Sequence, residues 1–103
     1  MKNQPKLEAR ARITQILTAA LEIAPARGYA RLTREDIATR AKVPPSLITY
    51  HFGTMPELRR KIMREAVRVK CLPVIAQGIA CRDRIALKAP QDVQALALDS
   101  LRG

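Results

Sequence analysis

Apolar residues recur at steps of three and four along the first third of the chain. The residues that follow this spacing are Ile13, Ile16, Leu17, Ala20, Leu21 and Ala24. Because such spacing places side chains on one side of a helix, the pattern predicts an amphipathic first helix. We expect this helix to end between Pro25 and Gly28, since proline is poorly tolerated inside a helix and glycine readily closes one. Tyr29 and Leu32 should then enter the core.

Capping and turn signals predict a second and a third short helix. Thr33 followed by Asp36 has the spacing of a capping box, with Asp in place of the more usual Glu or Gln. The pair Pro44-Pro45 should stop the second helix and start the third, which Gly53 should end. Two short helices joined by a tight turn are typical of a helix-turn-helix unit that reads DNA.

A fourth, longer helix should begin after Thr54. Thr54 and Glu57 repeat the capping-box spacing, and Pro56 suits a first helical turn. The apolar residues that continue along one face are Leu58, Ile62, Met63, Ala66 and Val67. We expect this helix to run to about Pro73.

The rest of the chain has a helical composition and predicts one or two further short helices. The residues of its last segment that share a face are Val93, Leu96, Ala97 and Leu101. Because a short amphipathic helix pair cannot bury both of its faces within one chain, we expect these four residues to form a dimer interface. The alternative is a cap that folds over the first and fourth helices and completes the core of a monomer.

The chain is strongly basic, and its charge is unevenly distributed. Its 103 residues leave room for one small domain. It contains 19 Lys and Arg against 9 Asp and Glu, and residues 1–70 hold 15 of the basic and 6 of the acidic residues. This imbalance indicates that one part faces a polyanion and the other faces protein. Binding to a ribosome or a membrane surface would also fit the charge alone.

Catalytic, metal-binding and exported classes find little support in the sequence. The carboxylates are scattered, the single His51 has no evident nucleophile beside it, and no glycine-rich phosphate loop occurs. The only cysteines, Cys71 and Cys81, predict neither a zinc site nor a disulfide framework. We therefore expect no enzyme activity, no metal and no cofactor. The polar N-terminus and the lack of an apolar run of roughly 18 residues predict a cytoplasmic protein without a membrane segment.

Five short patterns follow one another along the middle of the chain. They are Gly28-Tyr29, Asp36-Ile37-Ala38, Ala41-x-Val43, the YHFG stretch at residues 50–53 and Glu57-Leu58. Each pattern is weak by itself, but their order and spacing resemble the N-terminal DNA-binding region of TetR-family transcriptional repressors. The resemblance implies an all-α, TetR-like three-helix domain whose third helix enters the major groove of double-stranded DNA. It also implies a dimer that binds a palindromic operator.

The resemblance, carried over by position, implies which residues read bases. The residues expected at base edges are Pro45, Ser46, Leu47 and Thr49. Hydroxyl groups can donate or accept hydrogen bonds there, and a leucine can contact a thymine methyl group.

Phosphate contacts are expected around the same helices. The resemblance assigns this role to Thr33 and His51, and Tyr50 is a further candidate. The cationic residues that surround the motif and should neutralise phosphates are Arg34, Arg40, Lys42, Lys6 and Arg10, with Lys2 and Arg12 as further N-terminal candidates. Met55 stands where the family usually has a phosphate-contacting lysine, so we expect Arg59 or Arg60 to replace it. Lys42 likewise replaces a common turn glycine.

Structural alternatives exist for several of these residues. A lone histidine such as His51 is often a half-buried structural residue. The alternation of Ile48, Tyr50 and Phe52 favours Tyr50 as a core or hinge residue. The basic residues of the fourth helix could form only a solvated face.

These predictions divide the chain into three parts: a basic N-terminal arm (1–8), a helix-turn-helix DNA-binding domain (9–54), and a linking helix with a short C-terminal dimerisation segment (55–103). The last part is much shorter than the ligand-binding domain usual in the family, and a pocket of roughly 300–1,000 Å³ needs more walls. Unless the chain is a fragment, we expect a homodimeric repressor without a small-molecule effector, controlled by its own concentration or a protein partner. The alternatives are a non-specific architectural or partition DNA-binding protein, and a protein–protein regulator that reuses the fold.

Overall fold

The computed structural model describes residues 5–102, and the side chains of residues 8–102. Over this range the chain forms seven α-helices and no strand. The helices are α1 (Pro5–Arg27), α2 (Arg34–Ala41), α3 (Pro45–Phe52), α4 (Met55–Val69), α5 (Leu72–Ala80), α6 (Arg84–Leu87) and α7 (Gln91–Asp99). Single turns of 3₁₀-helix follow α1 and α7. The predicted all-α fold is confirmed, although three short helices follow α4 instead of one or two.

Helix α1 starts earlier than predicted. Its first residue is Pro5, so residues 5–8, assigned above to an N-terminal arm, belong to the helix, while residues 1–4 lie outside the described part. Proline suits a helix start because the N–H that it lacks would have no intrahelical partner there. The helix continues through Pro25, and Gly28 ends it with a φ of 99°.

The helix-turn-helix begins and ends at the signals read from the sequence. The Thr33 hydroxyl oxygen accepts from the Asp36 N–H at 3.1 Å, and the Asp36 carboxylate accepts from the Thr33 N–H at 3.2 Å. Pro45 is the first residue of α3, and Gly53 ends that helix with a φ of 78°. A second capping box, formed by Thr54 and Glu57, starts α4.

Three helices are followed by a basic residue in the left-handed conformation that usually requires glycine. These residues are Lys42, Lys70 and Arg82, with φ values of 61°, 57° and 62°. After each, the next N–H bonds a carbonyl five residues back: Val43 to Ala38, Cys71 to Ala66, and Asp83 to Gly78. This is the Schellman arrangement, in which a Cβ is strained. A cation offsets part of that strain, because positive charge is favourable beside the carbonyl end of a helix.

The position of Pro73 explains why α4 is shorter than predicted. The helix ends at Val69, where Lys70 reverses the chain, and Pro73 lies in the first turn of α5. Because proline is favoured in a first turn, Pro73 marks the start of α5 and not the end of α4.

One apolar core joins the helix-turn-helix to the C-terminal helices. Its largest fully buried side chains are Ile16, Leu32, Ile37, Ile48, Leu58, Ile62, Met63, Val74 and Ile75. Helix α7 adds Val93 and Ala97, which are 4% and 0% exposed. The prediction that Val93 and Ala97 form a dimer interface is therefore wrong, because α7 packs this face against α5 of the same chain. Leu96 and Leu101, from the same predicted interface, are 51% and 63% exposed.

Polar contacts also tie the end of α1 to the C-terminal helices. Gln77 of α5 accepts from the Tyr29 N–H at 2.7 Å and donates through its amide nitrogen to the Pro25 carbonyl at 3.1 Å. The last carbonyls of a helix have no intrahelical partner, so Gln77 satisfies one that α1 leaves open. Within the described residues, none of the helices is both long and apolar enough to cross a membrane.

Candidate nucleic-acid interface

Helix α3 turns one side to the core and the other to solvent. Ile48 and Phe52, one turn apart, are 0% and 3% exposed. Of the residues predicted to read base edges, Pro45, Ser46 and Thr49 are exposed and Leu47 is half-buried. These side chains offer hydroxyl and methyl groups, the groups that contact base edges and thymine methyls in a major groove.

Tyr50 lies in the middle of the solvent side of α3. Its side chain is 82% exposed, and it stands one turn after Ser46. The interpretation of Tyr50 as a core residue is therefore wrong. The apolar alternation that suggested it has the period of a strand, whereas the helical period places Tyr50 opposite Ile48 and Phe52.

His51 packs between its two aromatic neighbours at the end of α3. Its ring centroid lies 5.1 Å from that of Tyr50 and 6.4 Å from that of Phe52, with both pairs edge-to-face. The residue is half-buried, so its ring has a packing role and also reaches the surface. Its phosphate contact stays a prediction.

The N-terminus of α2 is already occupied by a carboxylate. The Thr33 N–H, which might otherwise meet a phosphate, donates to Asp36, and Asp36 also accepts two bonds from Arg27. The bond from Arg27 and those from Thr33 hold the pKa of Asp36 below its usual range. The Thr33 hydroxyl oxygen accepts from the Asp36 N–H through a lone pair.

Two of the predicted phosphate cations have partners within the chain. Arg34 donates to the Gly53 carbonyl at 3.0 Å, so it braces the end of α3 against the start of α2. Its Nε atom is buried without a partner. Arg40 donates to Glu22 of α1 at 2.9 Å, and both side chains are about half exposed. A phosphate would have to compete with Glu22 for Arg40, whereas Lys42 stands exposed at the turn.

The cations of α4 and α1 differ in how they are placed. Arg59 is half-buried, with its Nε atom buried and unpartnered, whereas the neighbouring Arg60 is exposed. Arg60 is therefore the better placed of the two to meet a phosphate. Arg10 is exposed on α1, and the Lys6 side chain lies outside the described residues.

The structure adds Gln15, a residue that sequence reasoning missed. Its amide nitrogen donates to the Ala41 carbonyl at 2.7 Å, and its amide oxygen accepts from Arg12 at 2.9 Å. These bonds tie α1 to the last residue of α2, next to the turn. No sequence signal marks this bond, because it joins residues 26 positions apart.

Side chains suited to metal binding do not cluster in the described part of the chain. No cluster of three or more His, Cys, Asp or Glu side chains among those residues could hold a metal ion. Both cysteines are free thiols, with Cys71 half-buried and Cys81 exposed.

The two short helices, their tight turn and the polar outer side of the second one define a helix-turn-helix DNA-binding domain. The family described as bacterial regulatory proteins, tetR family, matches residues 16–62. Residues 16–62 thus correspond to the N-terminal helix-turn-helix region of TetR-family DNA-binding transcription regulators. Comparisons with curated proteins and with solved structures gave no match.

Proposed function

We propose that the chain is a homodimeric transcriptional repressor that reads a palindromic operator with α3. The observation that carries this proposal is the exposed side of α3, where Ser46, Thr49 and Tyr50 face solvent together. The bond from Arg34 to the Gly53 carbonyl supports it further, because it holds α3 in a fixed position relative to α2. A rigid helix with polar side chains along its outer side suits direct reading of a major groove.

Exposed leucines of the C-terminal part support dimer formation. Leu96, Leu98 and Leu101 are each more than 40% exposed, although their neighbours Val93 and Ala97 are buried. Large apolar side chains left at the surface of a small domain favour contact with a second copy. A two-fold dimer would place two α3 helices on one side, which requires two half-sites related by a palindrome. Sedimentation velocity over a range of concentrations measures this association directly.

The proposed control acts through protein concentration or a protein partner. The buried side chains of α5 and α7 belong to the same apolar core as the helix-turn-helix. A cleft of about 700 Å³ between α1 and α2 is an open groove. An open groove does not enclose a small molecule as ligand pockets do, which supports control without an effector.

Selection of bound sequences from a random duplex pool tests the proposal. The selection should be done at about physiological salt, where non-specific binding weakens to roughly 10⁻⁴ to 10⁻⁶ M. We expect a palindromic motif, whose half-site spacing then gives the dimer geometry. Tight binding without an enriched sequence would favour an architectural protein. Failure to retain any duplex would favour a protein–protein regulator.

A further inference from the structure

A cleft lies between the N-terminal half of α1 and the end of α3. It has a volume of about 470 Å³ and opens to solvent. The polar side chains that line it are Glu8, Arg12, Gln15, Tyr50 and His51. Two of these residues belong to α3, so the cleft adjoins the helix that the proposed function places in the groove.

Gln15 holds the guanidinium group of Arg12 in this cleft. The Gln15 amide nitrogen is fixed by its 2.7 Å bond to the Ala41 carbonyl, which turns the amide oxygen toward Arg12. Arg12 donates to that oxygen through one nitrogen, Nη1, at 2.9 Å. A guanidinium group has five N–H donors, so Arg12 keeps donors for an anion after this bond.

The chemistry of the cleft fits a phosphodiester. Arg12 supplies a positive charge and Tyr50 a hydroxyl group on a side chain that is 82% exposed, and His51 also lines the cleft. Guanidinium groups bind phosphate oxygens in paired hydrogen bonds, and phenol hydroxyls also contact DNA backbones. Glu8 is the carboxylate in the cleft, and its charge opposes an anion there.

We propose that this cleft binds the backbone of the DNA strand that flanks α3, with Arg12 as the phosphate-contacting residue and Gln15 as its positioning residue. The proposal rests on the DNA binding proposed above. Of the N-terminal cations expected to meet phosphates, the proposal selects Arg12 over Arg10, which lies two residues earlier and therefore on the opposite side of α1. Helix α1 thus contributes through its Arg12 face to the DNA-binding surface.

The salt dependence of binding to a random duplex separates Arg12 from Arg10. Log affinity falls with log salt, and each lost phosphate contact makes this negative slope shallower by about 0.9. We expect Arg12→Gln to make the slope shallower by that amount, while the matched variant Arg10→Gln changes it much less. Glu8→Gln should raise the affinity at constant slope or steepen the slope, because it removes the opposing charge. Equal slopes for Arg12→Gln and Arg10→Gln would overturn the proposal.

A double variant tests the positioning role of Gln15. Gln15→Leu should weaken binding in the wild-type background but add little to Arg12→Gln, because both changes remove the same contact. Additive losses would assign Gln15 a separate role and contradict the positioning role. Wild-type protein that binds no duplex would instead refute the proposed function itself, so the two failures are distinguishable.

Discussion

The Tyr29 hydroxyl group lies 2.8 Å from a carboxylate oxygen of Asp83, a residue 54 positions further along the chain. The same hydroxyl lies 2.9 Å from the Arg59 carbonyl of α4. The other oxygen of Asp83 accepts from the N–H groups of Ile85 and Ala86 and caps α6. One carboxylate therefore holds the segment after α1 and the start of α6 in place. Burial and the bond to Asp83 raise the pKa of Tyr29 well above its usual range, so the phenol stays a donor.

Removal of this hydroxyl should destabilise the fold. We expect Tyr29→Phe to lower the free energy of unfolding by about 1–3 kcal/mol, because Asp83 loses a partner in a part-buried position. Thermal unfolding followed by circular dichroism measures the change. Tyr50→Phe is the matched control, since its side chain is 82% exposed and its loss of a hydroxyl should leave the melting temperature unchanged. Equal shifts for the two variants would contradict the role of the Tyr29 bond.

Gly78 is required by the close approach of α5 to its neighbours. A Cβ at this position would lie 2.4 Å from the end of Met63 and 2.8 Å from the Ala86 Cβ. Glycine inside a helix normally costs about 1 kcal/mol relative to alanine, so Gly78→Ala would be stabilising if space were available. We expect the opposite sign, a loss of about 1–3 kcal/mol from overpacking, measured by chemical denaturation.

A second substitution can relieve the overpacking at Gly78. Ala86→Gly removes the Cβ that a Cβ at position 78 would meet. The double variant Gly78→Ala with Ala86→Gly should therefore lose less stability than the sum of the two single losses. Strictly additive losses would show that the Ala86 Cβ does not cause the destabilisation by Gly78→Ala.

Lys42 and Lys70, the two lysines in the left-handed backbone conformation, allow the effect of Lys42 on stability to be separated from its effect on DNA binding. Lys42 and Lys70 have nearly the same backbone conformation and the same capping bonds. Glycine has no strain there, so Lys42→Gly and Lys70→Gly should each stabilise the protein by about 1 kcal/mol. Only Lys42→Gly, at the turn of the helix-turn-helix, should also lower affinity for random DNA and its salt slope. Similar effects of both variants on DNA binding would contradict a phosphate contact by Lys42.

The capping box of α2 should contribute to acid unfolding. The bond from Arg27 lowers the pKa of Asp36 in the folded state, so its stabilisation is complete at neutral pH and is lost as the pH falls below about 4. We expect Asp36→Asn to be less stable than wild type at pH 7 and to lose less stability on acidification. Melting temperatures from pH 7 to pH 3 measure this. An Asp36→Asn variant that loses as much stability on acidification as the wild type would contradict this role of the carboxylate.

Base reading by α3 predicts a loss confined to specific DNA. Leu47→Ala should cost roughly 1–3 kcal/mol on the selected operator and little on a random duplex, because it removes a base contact and no charge. Arg60→Gln should weaken binding to both duplexes, since Arg60 is exposed on α4 as a phosphate candidate. Fluorescence anisotropy on both DNAs measures the pair. Equal losses on the two duplexes for Leu47→Ala would refute its base-reading role.

The sequence by itself determined the helix-turn-helix, its two flanking capping boxes and the resemblance to the family. Thr33 with Asp36 and Thr54 with Glu57 were predictable because a capping box joins residues three positions apart, within one turn. Helical spacing likewise predicted the burial of Ile16 in α1 and of Ile62 and Met63 in α4, since a 3.6-residue period places each on the apolar face of its own helix. These signals are local, so a linear pattern contains them.

Only the tertiary structure decided which side chains are available for binding. Val93 and Ala97 are in the core because α5 lies beneath them, and Arg40 faces Glu22 because α1 crosses near α2. The bond from Gln15 to Ala41 and the bond from Tyr29 to Asp83 join residues 26 and 54 positions apart. Such contacts depend on how helices cross, and helix packing is set by the shapes of whole side-chain surfaces instead of by any local spacing.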